Sequence, residues 1–336
     1  MTIQQSKEQR NHAIEMRAVV IDRFGGPEVF SIRNVPIPEP KPDQIMVQVA
    51  SAGIGVWDNA EREGILAKMF GTQAKFPWIL GSEGAGKVVA IGSNVRKFNI
   101  DDLVYGHIWS PQEPTKAGFY AEYAVLNEHH VWPIPSNVPV EQAGTLLIDG
   151  GTAFTGLDST LALKQGESLM VFGASGGLGH LAIQLAKKMG AIVFAVASGE
   201  DGVELALKLG ADAAVDGHMG DIIASAKEFA PEGFDTALIA VAGDVTAQAL
   251  TTMRAGGRVA YPWVNQRAPP KTPANVSSSG YNLHMGQDLI EKMNKVIETG
   301  TFALHLGKTF QLDQVVEGFK TVTSHHLGRL ALLPQT

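Results

Sequence analysis

The chain has 336 residues, of which 45% are hydrophobic and 18% charged; it exceeds a typical single domain, so we expect two. A net charge of −7 without any long basic run argues against a nucleic-acid or membrane surface and favours a small-molecule partner. The absence of cysteine excludes disulfides, thiolate nucleophiles and cysteine-ligated zinc.

The first fifteen residues, MTIQQSKEQRNHAIE, are polar and lack the apolar segment of a signal peptide. No apolar run in the sequence reaches the length of a transmembrane helix. We therefore expect a cytoplasmic protein with a flexible N-terminal extension over residues 1–15 and a fold that starts near Met16.

Short strands and turns fill the next part of the chain. In IMVQVASAG, apolar Ile45, Val47 and Val49 occupy every second position, which is the pattern of a half-buried strand. The pattern predicts a β-rich domain over residues 16–141. The end of the chain returns to strand, helix and strand, so residues 301–336 are expected to rejoin this domain.

From about Glu141 onward, strands alternate with helices. Apolar runs such as SLMVF and AIVFAVA are separated by helical segments such as VELALKLGA. Continuous apolar strands between helices are typical of a parallel sheet that is covered on both faces. The sequence therefore predicts an α/β fold in which residues 142–300 form a doubly wound parallel sheet.

A glycine-rich loop, GASGGLG, joins the first strand of this domain to its first helix. The apolar residues after it fall on one helical stripe: Leu178, Leu181, Ala182, Leu185 and Met189. Such a turn presents free amides and the positive end of the helix dipole, which suits a pyrophosphate. We predict a Rossmann dinucleotide-binding domain whose loop contacts the cofactor through Ala174, Ser175, Gly176, Gly177, Leu178 and Gly179.

The kind of dinucleotide depends on the end of the next strand. Ser198 and Gly199 stand where an acidic residue would favour NAD(H), and they leave space and a hydroxyl for the 2′-phosphate of NADP(H). NADP(H) is therefore the predicted cofactor. NAD(H) stays open as the lesser alternative, because acidic residues follow and no Arg or Lys appears before Lys208.

The ends of two later strands are also predicted to contact the cofactor. Ligands of open α/β sheets bind beyond the carboxyl ends of the strands. The fourth strand of the domain ends at Val241 and Ala242 and the fifth at Tyr261, so these three residues are candidate contacts.

These motifs resemble the zinc-independent quinone oxidoreductases, the zeta-crystallin-like family of the medium-chain dehydrogenase/reductase superfamily. GESLMVFGASGGLGHLAIQLAK follows the family signature, in which Ala174 is the usual residue, and departs from it at Met170. LGSEGAGKVVAIG is similar to a superfamily motif with Ser82 in place of the histidine that binds zinc in alcohol dehydrogenases. The resemblance implies a GroES-like catalytic domain in addition to the Rossmann domain, and a homodimer joined through the edge strand near residues 281–285.

The resemblance also indicates three candidate catalytic residues. In ASAGIGVWDNAEREG, Gly55 stands where zinc-free relatives often carry an asparagine near the nicotinamide, while Asp58 is kept. Trp57 is expected either to roof the substrate pocket or to pack at the domain interface. Asp58 is expected to orient a pocket group or the cofactor, or to act as a structural cap. Thr152 stands where the family has a small hydroxyl residue near the nicotinamide.

No metal site is expected, because cysteine is absent and four of the histidines form two adjacent pairs whose members point in different directions. Without a Lewis acid to stabilise an alkoxide, the expected chemistry is hydride transfer to an acceptor polarised by conjugation, a quinone or an α,β-unsaturated carbonyl (enone or enal). The alternative is an NADPH-binding structural or regulatory protein of the same fold without significant turnover, which the glycine at position 55 keeps open.

Overall fold

The computed structural model describes residues 14–71, 73–108, 118–263 and 269–335. The predicted N-terminal extension lies almost wholly outside the described residues, and the first strand begins at Glu15. The chain divides into two compact units, with boundaries after Pro133, Lys308, Thr323 and Leu330. The first unit holds the described residues up to Pro133 together with 309–323 and 331–335, and the second holds 134–308 and 324–330.

The strands, in chain order, are β1 Glu15–Ile21, β2 Ser31–Pro36, β3 Gln44–Ile54, β4 Trp78–Ile79, β5 Glu83–Ile91, β6 Leu103–His107, β7 Tyr123–Asn127, β8 Val131–Pro133, β9 Ser168–Phe172, β10 Ile192–Ala197, β11 Ala213–Asp216, β12 Phe234–Ile239, β13 Met253–Pro262, β14 Ser277–Tyr281, β15 Leu306–Phe310 and β16 Arg329–Leu332. The helices are α1 Val56–Arg62, α2 Ile65–Phe70, α3 Val140–Ala143, α4 Leu147–Phe154, α5 Gly177–Lys188, α6 Gly199–Lys208, α7 Ile222–Phe229, α8 Asp244–Ala249, α9 Gln287–Ile297 and α10 Val315–Thr321. A π-helical segment, Thr155–Thr160, continues α4.

In the first unit, β3 is the central strand of a seven-stranded sheet with the order β15-β16-β3-β5-β6-β8, and β7 also pairs with β3. Val47 of β3 lies opposite Val88 of β5 and Ala124 of β7. The alternation that predicted a half-buried strand is confirmed, since Ile45, Val47 and Val49 are buried. A smaller antiparallel sheet, β2-β1-β4, completes the predicted β-rich domain.

In the second unit, a six-stranded sheet has the order β11-β10-β9-β12-β13-β14, and every neighbouring pair is parallel. β9 is the point where the strand order reverses, because the chain adds β10 on one side of it and β12 on the other. Helix α7 packs in a core cluster with Met170 of β9, and α5 lies against β9 and β10. The predicted doubly wound sheet is confirmed, and its carboxyl edge at the reversal point is the place where such sheets bind ligands.

Within the residues that the structure describes, no helix is both long enough and apolar enough to cross a membrane.

Candidate functional site

The glycine loop lies between β9 and α5, at the carboxyl edge of the parallel sheet. The amides of Gly173 and Ala174 both donate to the carbonyl of Val196 on the neighbouring strand, each at 3.0 Å. Gly176 caps the helix and donates its amide to Gly173 at 3.3 Å. These bonds fix the loop to two strands, while the first-turn amides of α5 have no carbonyl partner within the helix.

Two glycines of the loop differ in the space around them. A Cβ at Gly179 would collide with the carbonyl of Gly173 and lie 2.7 Å from Cα of Ala174, so glycine is needed there for close helix–strand packing. A Cβ at Gly176 would meet nothing nearer than the Gly173 carbonyl at 3.6 Å. The backbone at Gly176 is therefore open to a ligand, as the glycine pattern predicts.

His180, in the first turn of α5, supports the loop from inside. Its Nδ1 lies 3.0 Å from the carbonyl of Gly176, and that partner assigns the ring proton to Nδ1. Nε2 is buried without a hydrogen-bond partner among the described residues. Burial lowers the pKa of His180 to about 4, so the ring is neutral at neutral pH. His180 was not among the predicted site residues.

A polar cluster surrounds Ser198 at the end of β10. The amide of Ser198 donates to Oγ of Ser175 at 3.2 Å, and its own Oγ lies 3.0 Å from Nε2 of His218. Asp216 accepts hydrogen bonds from the amides of Gly199 at 3.1 Å and His218 at 3.0 Å, which lower the pKa of its carboxyl. Beside His218 a cleft of about 240 Å³ opens between the β11–α7 connection and α8.

The other predicted strand-end contacts occupy different environments. Val241 and Ala242 follow β12 and are exposed. Tyr261 lies within β13, buried in the core cluster of the sheet, with its ring centroid 5.2 Å from that of Trp263. The structure thus places two of the three at the carboxyl edge and the third in the core.

Thr152 lies on α4 and is buried. Its hydroxyl donates to the carbonyl of Ile148 at 2.6 Å, so it is free only to accept a hydrogen bond. On the same helix, Asp149 forms a buried ion pair with Arg329 at 2.8 Å. A side chain at Gly177 would collide with this pair, which gives that glycine a second reason to be present.

Trp57 and Asp58 lie in the first unit, at the start of α1. The ring of Trp57 covers Gly55, and the Asp58 carboxylate accepts the amide of Gly55 at 2.7 Å. Asp58 therefore caps α1, which is one of the two predicted roles, and a role toward a substrate or cofactor stays a prediction. The other carboxylate oxygen of Asp58, Oδ1, lies 3.1 Å from Oγ of Ser82. Oε2 of Glu61 lies 3.3 Å from Oγ of Ser82.

The predicted site residues thus fall into two sets, each within one unit. Trp57 and Asp58 are adjacent at the start of α1. The loop residues and Ser198 come together at the carboxyl edge of the sheet, where Val241 and Ala242 also follow the end of β12.

Sequence models of two families match the chain, one described as an alcohol dehydrogenase GroES-like domain over residues 41–136 and one as a zinc-binding dehydrogenase over residues 177–278. A human protein named quinone oxidoreductase is 29% identical over 333 residues, which cover 95% of this chain and 98% of that protein. An Arabidopsis thaliana protein named NADPH-dependent alkenal/one oxidoreductase, chloroplastic, is 30% identical over 327 residues, covering 95% and 80%. The chain belongs to the quinone oxidoreductase family of the medium-chain dehydrogenase/reductase superfamily.

A solved quinone oxidoreductase from Coxiella burnetii superposes with a TM-score of 0.79 at 26% identity, covering 96% of this chain and 100% of its own. Membership of the quinone oxidoreductase family confirms the predicted combination of a GroES-like and a Rossmann domain, and it confirms that the protein is an oxidoreductase of this type. Across the described ranges no group of three or more histidine, aspartate or glutamate side chains is arranged to hold a metal ion.

Two further features of this quinone oxidoreductase family member were not predicted from its sequence. Glu61 follows Asp58 by three residues, a spacing that places both carboxylates on one helical face and that could have been noticed. The Asp149–Arg329 pair joins residues 180 positions apart, and nothing in the local sequence marks it.

Proposed function

We propose that the protein is a zinc-independent, NADP(H)-dependent reductase that transfers hydride to a quinone or to an α,β-unsaturated carbonyl. The observation that carries the proposal is the open backbone of Gly176 at the reversal point of the parallel sheet, with Gly179 packed tightly behind it. The names of the human and Arabidopsis relatives, a quinone oxidoreductase and an alkenal/one oxidoreductase, support this acceptor class.

The residues of the second unit fit a dinucleotide. In the loop Ala174 to Gly179, the first-turn amides of α5 would hold the pyrophosphate, because the amides of Ala174 and Gly176 are already bonded to carbonyls. Val241 and Ala242 are exposed at the same edge and would line the nicotinamide half, with Tyr261 supporting them from the core. When bound, the nicotinamide supplies a hydride from its C4.

Several contacts near Ser198 support NADP(H) rather than NAD(H). Two of the nearby carboxylates are already engaged, since Asp216 accepts two backbone amides and Asp201 bonds His325 at 3.0 Å. The hydroxyl of Ser198 and the ring of His218 remain as the pair that would meet a 2′-phosphate. His218 thus supplies the nitrogen donor that the sequence around Ser198 lacks.

The donor set around Ser82 does not suit catalytic zinc. Ser82, Asp58 and Glu61 offer only oxygen atoms, whereas catalytic zinc in proteins is held chiefly by histidine nitrogen and cysteine sulfur. Such a site would not stabilise an alkoxide through a metal. A conjugated acceptor suits this site, because the charge that develops on its oxygen is spread by conjugation and needs only hydrogen bonds and a positioned ring such as Trp57.

Purified protein mixed with NADPH and a panel of acceptors tests the proposal: 9,10-phenanthrenequinone, 1,4-benzoquinone, 2-hexenal and 3-buten-2-one. Loss of NADPH absorbance with at least one acceptor, and much slower loss in Gly179→Ala, is the expected result. Tight NADPH binding by fluorescence without turnover of any acceptor would instead favour the structural or regulatory alternative.

A homodimer is part of the proposal. β14 is the edge strand of the parallel sheet and pairs only with β13 among the strands of the described chain, so its outer backbone groups can pair with a second copy. Light scattering should give twice the chain mass. A monomeric mass at micromolar concentration would contradict this part of the proposal.

A further inference from the structure

Three buried side chains of the first unit form one hydrogen-bonded chain that the proposed reaction does not use. Oγ of Ser82 lies 3.1 Å from Oδ1 of Asp58 and 3.3 Å from Oε2 of Glu61. The exposed fractions of Asp58, Ser82 and Glu61 are 0%, 4% and 7%, so water does not separate these groups. We call this set the carboxyl clasp.

The number of protons in the carboxyl clasp follows from its geometry. A serine hydroxyl carries one hydrogen and can donate to only one of its two carboxyl neighbours, and an ionised carboxylate can only accept. One of the two carboxyls must therefore carry a proton and donate it to Oγ of Ser82. Asp58 already accepts the amide of Gly55 at 2.7 Å, which favours its ionised form. The proton belongs to Glu61.

The charges around the carboxyl clasp agree with this assignment. Burial and the neighbouring Asp58 carboxylate raise the pKa of Glu61 to about 8, against a small opposing effect of the Ser82 hydroxyl. On α1, the guanidinium of Arg62 is directed to Gly25, Asn59 and Glu63 rather than to Glu61.

The strands beside the clasp contribute two more titratable groups. Glu83 of β5 is fully buried next to Ser82, and it lies opposite His107 of β6. Burial lowers the pKa of His107 to about 3, so this histidine is neutral at neutral pH. Among the described residues, His107 therefore brings no positive charge to this part of the two strands at neutral pH.

We propose that Glu61 is a positioning residue, whose proton closes the chain through Ser82 and Asp58 to Gly55 and thereby holds the start of α1 and the ring of Trp57 in place. The link to the reaction rests on the proposed function, in which Trp57 borders the acceptor. When Glu61 loses its proton, two buried anions compete for the one hydrogen of Ser82, and the bond from Ser82 to Asp58 weakens.

The sign of the pH dependence follows from the raised pKa. The folded state holds the Glu61 proton more tightly than the unfolded chain, whose ordinary value is 4.5. The contribution of the carboxyl clasp to folding is therefore complete below pH 4.5 and is lost as the pH rises toward 8. Activity that depends on the clasp should decline above pH 8.

The test compares Glu61→Gln with Glu61→Ala in the full chain, and Glu63→Gln is the matched control because it removes a carboxylate from an exposed position of the same segment. The glutamine amide can donate to Ser82 at every pH, so Glu61→Gln should keep the stability and activity that Glu61→Ala loses. Infrared difference spectra of wild type minus Glu61→Gln at pH 7 should show the carbonyl stretch of a protonated carboxylic acid, which disappears at pH 9.

With NADPH and 9,10-phenanthrenequinone, kcat/KM of the wild type and of Glu63→Gln should fall about tenfold from pH 7 to pH 9, whereas Glu61→Gln should stay level. A protonated band that is missing, or a Glu61→Gln variant that declines with pH as the wild type does, would overturn the proposal. If no variant oxidises NADPH at any pH, the proposed function fails. In that case, the infrared band and the pH dependence of the urea midpoint still test the carboxyl clasp, because neither measurement requires activity.

Discussion

The indole ring of Trp57 lies against Cα of Gly55, in the space that any larger residue at position 55 would need for its Cβ. The backbone of Gly55 is extended, with φ of −127°, a conformation open to every residue, so glycine is required here for space and not for conformation. At the position where zinc-free relatives often carry an asparagine, this protein has Gly55, and the ring of Trp57 from α1 fills the space beside it. Gly55 and Trp57 are therefore structurally coupled.

Gly55→Ala should destabilise the protein by about 1–3 kcal/mol, because the new methyl group must displace the Trp57 ring from its packed position. It should also lower kcat/KM with 9,10-phenanthrenequinone if Trp57 borders the acceptor. Urea unfolding followed by circular dichroism gives the first quantity and the NADPH assay gives the second.

The control is the pair Trp57→Ala and Gly55→Ala/Trp57→Ala. With the ring removed, alanine at position 55 should cost less than about 0.5 kcal/mol, so the double variant should be more stable than the sum of the single changes predicts. Additive effects would show that the ring and the glycine do not share the space.

Gly176→Ala and Gly179→Ala should separate ligand binding from folding. Alanine at position 176 fits the backbone, with φ of −82°, and meets open space, so stability should change by less than about 0.5 kcal/mol while NADPH affinity falls about tenfold or more. Alanine at position 179 must push against the Gly173 carbonyl, so it should lower both stability and affinity. Fluorescence titration with NADPH and thermal unfolding measure the two effects. Unchanged affinity in Gly176→Ala would place the pyrophosphate elsewhere.

The sequence predicted the parts of this molecule that depend on residues close in the chain. The loop of Gly176 and Gly179 was predictable because a buried strand, a glycine turn and an apolar helical stripe follow one another without interruption. His218 was not, because it lies 20 residues after Ser198 and meets it only when β10 and β11 pair in parallel. The proposed proton on Glu61 was out of reach for the same reason, since Ser82 joins it from the residue just before β5.

His218→Ala should raise KM for NADPH about tenfold and leave KM for NADH nearly unchanged, because only the phosphorylated cofactor would meet the imidazole. Ser198→Ala should act in the same direction, since its hydroxyl bonds the same ring. Wild type and the variant His325→Ala serve for comparison. Because His325 bonds Asp201, its loss should change KM for NADPH less than the loss of His218 does. An equal rise in KM for NADPH and NADH would argue that His218 contacts the adenosine and not the 2′-phosphate.

His180 makes the folded protein sensitive to acid. Burial holds its pKa at about 4 in the folded state, against 6.5 as the ordinary value, so the unfolded chain takes up a proton first as the pH falls. The stability that depends on the neutral ring is complete above pH 6.5 and is lost as the pH falls toward 4. Between pH 7 and pH 5 the loss should amount to about 2 kcal/mol.

His180→Asn should remove this part of the acid sensitivity, because the asparagine amide can still donate to Gly176 but does not titrate. His107, whose pKa burial also lowers, is present in both proteins and cancels in the comparison. From pH 7 to pH 5, the urea midpoint should fall less for the variant than for the wild type. The same pH dependence in both would mean that folding does not lower the pKa of His180.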